Sequence, residues 1–310
     1  MDCGLSKRVM GAALILLATI FMLYLIPHKV FVSVRVLPKS TKHLLGTAQV
    51  PIAASTPGKI QNKVAVITDT QYTPRLIPLI LHFHAVLGPD WPIVFFTSEE
   101  SRENHFAPGA KGSAVWQRAV ADKRIEIRTV PSDVNLTHRN AVNLYLSRPW
   151  LWEQLAPAQH VLIFQADAMI CGNAHRTAED WLQYDFVGAP FSGPDSPKKY
   201  NGGLSLRNRT MILDILSEGN NWEEETKAET WTGGGEDNWF SHKMEARSAH
   251  LPDIYESLAF SCQTELHLGM NREPFGFHKV HIGAPNKLAE IAQWCPEIAL
   301  AAKGTLEPSM

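Results

Sequence analysis

The chain has 310 residues, 45% of them hydrophobic, with 29 Lys and Arg against 31 Asp and Glu and a formal net charge of −2. That is enough apolar material for one or two globular domains with a sizeable core. The balanced charge, without a long run of either sign, excludes a nucleic-acid partner and a polybasic membrane patch and leaves small-molecule or glycan chemistry open.

Residues 1–8 are a short tail, and Val9 to Ile26 is then a run of 18 uncharged, mostly apolar residues. As a helix it would be about 27 Å long, close to one bilayer core, so a single membrane-spanning anchor is expected there. A cleaved signal peptide has an apolar region of about 7–15 residues before a small-residue cleavage site, and the following "PHKVFVSV" offers no convincing one. Lys7 and Arg8 precede the run, whereas Lys29, Arg35, Lys39 and Lys42 follow it, so the positive-inside count alone favours a cytosolic body. Residues 27–62, rich in Ser, Thr, Pro and Gly without periodicity, read as a stem.

Cys3 lies before the anchor and Cys171, Cys262 and Cys295 beyond it. The body therefore holds at most one intrachain bridge, with one thiol left over, and the spacing excludes a zinc ribbon. The triplets at Asn135 and Asn208 are glycosylation sequons, which permit a lumenal body without requiring one.

From Lys63 the pattern turns regular. "KVAVITD" is a β-branched run, "PRLIPLILHFHAVLG" a helical one closed by Gly88, and "WPIVFFTS" a second apolar run, which together make β-α-β. A helix near Ser113 to Ala121 leads to "RIEIRTV", and "HRNAVNLYLSRPWLWEQL" is an amphipathic helix feeding the strand "HVLIFQ". Such alternation predicts an α/β fold, an open, mostly parallel sheet flanked by helices, with ligands collecting at the strands' carboxyl ends. Asp69, Thr97, Ser98 and Asp167 all follow strand runs and share that rim. One domain over residues 63–285 is expected, with a tail from 286 to 310.

Four segments carry candidate chemistry. In "QAD", Asp167 ends a greasy strand, where it either caps the next turn or holds a divalent cation, Mn²⁺ or Mg²⁺, by its oxygens. In "NGGLSLRNR", Gly202 and Gly203 after Asn201 either make a plain turn or let the backbone approach a bound ring. In "WTGGGEDNWF", Glu236 and Asp237 stand where a helix begins. The bland reading is a helix cap after a hinge; the functional one is a sugar site, with Trp231 and Trp239 for stacking and a carboxylate as general base. "FGFHKVH" brings His278 and His281 near the end of the folded region, whereas His82 and His84 point to different sides of a helix and are no metal pair.

Taken in order, these segments resemble the GT-A class of nucleotide-sugar glycosyltransferases over roughly Lys63 to Gly283, and the order "QAD", "NGG", "GGGED", "FHK" is similar to galactosyltransferase-like inverting enzymes. The chain also looks like an uncharacterised GT-A-like family of single-pass proteins with Gln in the first D-x-D position. The resemblance implies that Asp167 and His278 hold the metal, with neutral Gln165 on ribose. It further implies Thr68 and Asp69 at the nucleoside, Asn201, Gly202, Gly203, Trp231, Gly234 and Gly235 around the donor sugar, Asp237 as base and Glu236 orienting acceptor hydroxyls. The expected function is inverting transfer of a hexosyl group from a UDP-sugar to a glycan or other hydroxyl acceptor, by a type II protein with a lumenal Golgi body. A membrane-anchored glycan-binding protein on a degenerate transferase fold is the alternative, and Gln165 favours it. A glycoside hydrolase needs carboxylates about 5–9.5 Å apart across the scissile bond, which sequence neighbours such as Glu236 and Asp237 do not suggest.

Overall fold

The computed structural model describes residues 59–302, apart from 109, 111–112 and 192–197. The anchor expected at 9–26 and most of the stem lie outside the described residues; among those described, no helix is long and apolar enough to cross a membrane.

The fold is mixed α/β around a six-stranded, mostly parallel sheet in the order β3-β2-β1-β4-β7-β6. β1 (Lys63–Thr68), β2 (Ile93–Thr97), β3 (Ile125–Thr129) and β4 (His160–Phe164) run parallel. β7 (Tyr200–Asn208) adds antiparallel to β4, and β6 (Phe186–Pro190) antiparallel to β7. The period-two geometry of a strand splits each apolar run between two cores. Ala65, Ile67, Phe95 and Phe164 pack on one face with the helix Leu76–Leu87, Phe83 stacking on Phe164 at 3.8 Å between ring centroids. Val64, Val66, Phe96 and Ile163 pack on the other with Trp152, Ile212 and Trp239. Helices thus cover both faces, as a parallel sheet requires.

The expected helix through "HRNAVNLYLSRPWLWEQL" is two, Arg139–Leu146 and Pro149–Gln154. The break falls where the residue before a proline is pushed out of the α region: Arg148 is extended at φ −98°, ψ 152°. Gly88 closes the helix Leu76–Leu87 at φ 77°, a conformation that suits glycine.

A second, small sheet has the order β5-β9-β8. β5 (Ala168–Ile170) pairs antiparallel with β9 (Gly276–His278), Ala168 opposite His278, and β8 (Ser261–Cys262) lies parallel to β9. The residues from 286, expected as a tail, fold against this sheet as far as 302. The helix Leu288–Trp294 and the turn after it bury Ile291, Ile298 and Ala301. Cys295 bridges to Cys171 at the end of β5, with Cα atoms 4.9 Å apart, leaving Cys262 as a buried free thiol. The apolar spacing of "LAEIAQW" is too short a pattern to have marked this as core.

Candidate active site

A cleft of about 530 Å³ opens at the carboxyl ends of the sheet and is floored by Gln165, Asn201, Gly202, Gly203, Asp237 and His278. Four separate sequence segments meet here. β4 pairs with β7 as far as Phe164 and Leu204, so the antiparallel β7 begins beyond the end of β4 and brings Asn201 to Gly203 beside Gln165. The Gln165 N–H donates to the Gly203 carbonyl at 2.8 Å. The chain then turns into β5, and pairing of β5 with β9 sets Asp167 beside His278 although 111 positions separate them.

His278 is 1% exposed, and its Nε2 faces two oxygens, Asp167 Oδ1 at 3.2 Å and Gln165 Oε1 at 3.3 Å. Its Nδ1 is buried without a hydrogen-bond partner. A Cβ on Gly203 would lie 2.1 Å from His278 Nε2, so only glycine admits the imidazole. Burial alone would raise the Asp167 carboxyl; the hydrogen bond from His278 and the charges of His278, Lys279 and His281 outweigh it and carry the pKa down to about 2. Lys279 stands exposed over the cleft in the left-handed conformation, φ 55°, and its N–H donates to the Asp167 carbonyl at 3.0 Å.

On the other side, Glu236 and Asp237 begin the helix Glu236–Glu245. Asp237 is half-buried; its Oδ2 accepts the Gly202 N–H at 3.0 Å and its Oδ1 the Asn238 N–H at 2.8 Å. A carboxylate has about four lone-pair sites, so acceptor capacity remains towards the cleft. Glu236, expected to orient acceptor hydroxyls, is 2% exposed and gives both oxygens to the Arg207 guanidinium, at 2.8 and 3.2 Å. Burial pushes the Glu236 carboxyl up, Arg207 opposes and the charge of Asp237 adds. A buried carboxylate must find such a partner, and it therefore lies in the cleft floor.

Thr68 and Asp69, at the end of β1, line a smaller pocket of about 160 Å³ with Tyr145. Leu136, Val142 and Gln165 border both spaces. Thr68 Oγ1 lies 3.3 Å from the Tyr145 hydroxyl. Burial raises the Asp69 carboxyl, while the Gln71 N–H and Arg75 lower it and Asp167 raises it further.

The glycine loop behaves differently from expectation. Trp231 turns its ring onto His242, 5.4 Å between centroids, and donates from Nε1 to the Gly234 carbonyl at 3.0 Å; neither Trp231 nor Gly234 lines the cleft. Trp239 is fully buried, its Nε1 on Glu225, so it offers no stacking face. Gly235 is buried beside the cleft, where an added Cβ would meet Asn143 Oδ1 at 2.9 Å. Sequence reasoning missed Arg207, Asn143, Tyr145 and Lys279. For Arg207 a signal existed: in "LSLRN" it alternates with leucines on a strand whose two faces are both covered.

Fold and rim together define an open-sheet α/β protein with a polar cleft at its switch from parallel to antiparallel strands. Residues 124–278, half of the chain, match the family described as "Protein of unknown function (DUF5672)", and the chain belongs to that family. No curated protein matches it in sequence. Among solved structures it is similar to the mannosyltransferase PcManGT from Pyrobaculum calidifontis, in complex with GDP-Man and Mn2+, at 15% identity and a TM-score of 0.40 over 64% of this chain and 57% of that one. It is similar also to the glycosyltransferase GlyE of Streptococcus pneumoniae TIGR4, at 11% identity and a TM-score of 0.44 over 70% of this chain and 54% of that one. The chain thus spans a little over half the length of these relatives.

Proposed function

We propose that the protein is an inverting glycosyltransferase that moves a hexosyl group from a UDP-sugar to a hydroxyl acceptor. The observation that carries this reading is the meeting, in one cleft, of a half-buried carboxylate on the Gly202 amide with a histidine and an amide oxygen, the Asp167 carboxylate lying 3.2 Å from that histidine without itself lining the cleft.

A divalent cation, Mn²⁺ or Mg²⁺, fits that donor set. Neighbouring donors around a small octahedral cation stand about 3 Å apart, and Asp167 Oδ1 and Gln165 Oε1 stand 3.2 and 3.3 Å from His278 Nε2. Among the described residues no group of three or more His, Cys, Asp and Glu could hold a metal, so the third donor would be the amide of Gln165. When bound, such an ion supplies Lewis-acid charge for a departing diphosphate.

The chain's own groups divide the remaining work along the rim. Thr68, Asp69 and Tyr145 take the nucleoside. Strands β1 and β7 are two positions apart in the sheet, about 10 Å, which leaves room for a diphosphate beneath Lys279 before the sugar reaches Asn201 to Gly203. Asp237 takes the proton of the acceptor hydroxyl as its oxygen attacks the anomeric carbon from the face opposite the leaving group. The disulfide between Cys171 and Cys295 suits an oxidising compartment, in keeping with a lumenal Golgi body behind a single N-terminal anchor.

The test is release of UDP when the full-length protein is incubated with Mn²⁺ and a panel of UDP-hexoses, with and without glycoside acceptors. A second reading, a glycan-binding protein without turnover, draws on the amide at Gln165 where the D-x-D pattern of the GT-A class has an acid. It predicts glycoside binding without any UDP release.

A further inference from the structure

Arg207 and Glu236 form a buried ion pair for which stability offers no account. Arg207 is 0% exposed, and its guanidinium lies 4.5 Å from the Phe186 ring centre and 5.8 Å from that of Trp152. Bringing two charges out of water costs about as much as their attraction returns, and apolar residues of similar volume do as well or better. The pair does, however, close a ring of contacts. Arg207 Nε donates to Ser205 Oγ at 3.1 Å, and Ser205 Oγ donates to the Gly202 carbonyl at 2.9 Å. The Gly202 N–H donates to Asp237 Oδ2 at 3.0 Å, and Asp237 follows Glu236 in the chain. A Cβ on Gly202 would lie 2.3 Å from Arg207 Nη2 and 3.1 Å from the Asp237 Cβ, so the guanidinium packs directly against the backbone that carries the ring.

We infer that Arg207 and Glu236 are positioning residues, which hold Gly202 from both its carbonyl and its amide and thereby aim Asp237 into the cleft. This inference rests on the reading of Asp237 as the base. Misplacing a reacting group by about 1 Å can cost on the order of a hundredfold in rate, and the pair guards against that misplacement.

The experiment compares the full-length protein with the double variant Arg207→Met, Glu236→Leu and with Arg207→Lys, reading thermal unfolding, UDP release from a UDP-hexose and hydrogen exchange at the Gly202 amide. The double variant should unfold at or above the original temperature. It should lose about a hundredfold in kcat with donor KM unchanged, and its Gly202 amide should exchange faster. Arg207→Lys, which keeps the charge but not the fork, should lie between. Wild-type kcat and wild-type Gly202 protection in a folded double variant would overturn the inference. If the double variant does not fold, Arg207→Lys decides: full kcat with lowered stability overturns it. Unchanged turnover in Asp237→Asn would instead sink the base reading alone, and the exchange measurement would still decide whether the pair holds Gly202.

Discussion

The two acidic centres, one in the cleft floor at Glu236 and one beside the cleft at Asp167, are built from opposite materials. Around Asp167 the groups come from very short strands and a turn; the carboxylate is 20% exposed, and Asp167 Oδ1 and Gln165 Oε1 face His278 Nε2 at hydrogen-bond distances that a ligand could replace. Around Glu236 the groups come from the first turn of a ten-residue helix and the second half of a nine-residue strand, and the two side chains of the pair are 0% and 3% exposed. The first centre keeps its lone pairs for exchange, and the second uses them to hold a position. The proposed transfer would need both, since a departing diphosphate would have to come and go while the base stayed aimed.

The largest effect should come from Asp237→Asn, which keeps an oxygen for the Gly202 N–H but removes the proposed base. UDP release should fall by about 10²–10⁴-fold while UDP-sugar affinity, measured by calorimetry, stays as it was. Equal losses of rate and affinity would make Asp237 a structural member of the held centre and dissolve the contrast.

Next is Gly203→Ala, aimed at the exchangeable centre. The new methyl would fall 2.1 Å from His278 Nε2, so the imidazole must leave its place between Asp167 and Gln165. Thermal unfolding should report a loss of about 1–3 kcal/mol, the usual cost of overpacking, and Mn²⁺ titration in the presence of UDP should weaken at least about tenfold. Undiminished Mn²⁺ binding would remove His278 from the donor set.

The contrast also explains what was legible in the sequence. "VAVIT", "PIVFF" and "HVLIF" are long enough to show a strand and its end, so the sheet and the rim positions of Asp69 and Asp167 follow from the apolar runs alone. The small sheet could not be read in this way: β5 and β9 have three residues each, too few for a period to appear, and their pairing spans more than a hundred positions. Trp239 beside a glycine loop looks like a stacking platform, yet the helix that starts at Glu236 turns it into the core, where it is 0% exposed. Adjacency in the chain likewise hid the difference between Glu236 and Asp237. Successive residues of a helix point about 100° apart, so one carboxylate faces Arg207 and the other Gly202.

A smaller change should sharpen the exchangeable centre. Gln165→Asp would give the cation a second carboxylate near His278, and affinity at such sites follows ligand charge. Mn²⁺ binding to the nucleotide-free protein should tighten on the order of tenfold, whereas the original protein should need UDP to bind Mn²⁺ well. Calorimetric titrations of both proteins, each with and without UDP, make the comparison. Failure of both to bind Mn²⁺ even with UDP would end the metal-assisted reading.

The smallest expected effect concerns Lys279, where stability and binding should move in opposite directions. A non-glycine residue at φ 55° carries a steric cost that glycine lacks, offset in part by the greater freedom glycine has in the unfolded chain. Lys279→Gly should therefore raise stability by about 0.5 kcal/mol, with the N–H to the Asp167 carbonyl intact. It should also weaken UDP binding by about two- to fivefold, the worth of one exposed cation near an anion, and high salt should erase that difference. Lys279→Gln separates the two terms, since it keeps the strain and removes the charge: affinity should fall as in the glycine variant, without the gain in stability. If both variants bind UDP as the original does at low salt, the left-handed lysine is a feature of the turn between β9 and the helix Val280–Gly283, with no part in holding the diphosphate.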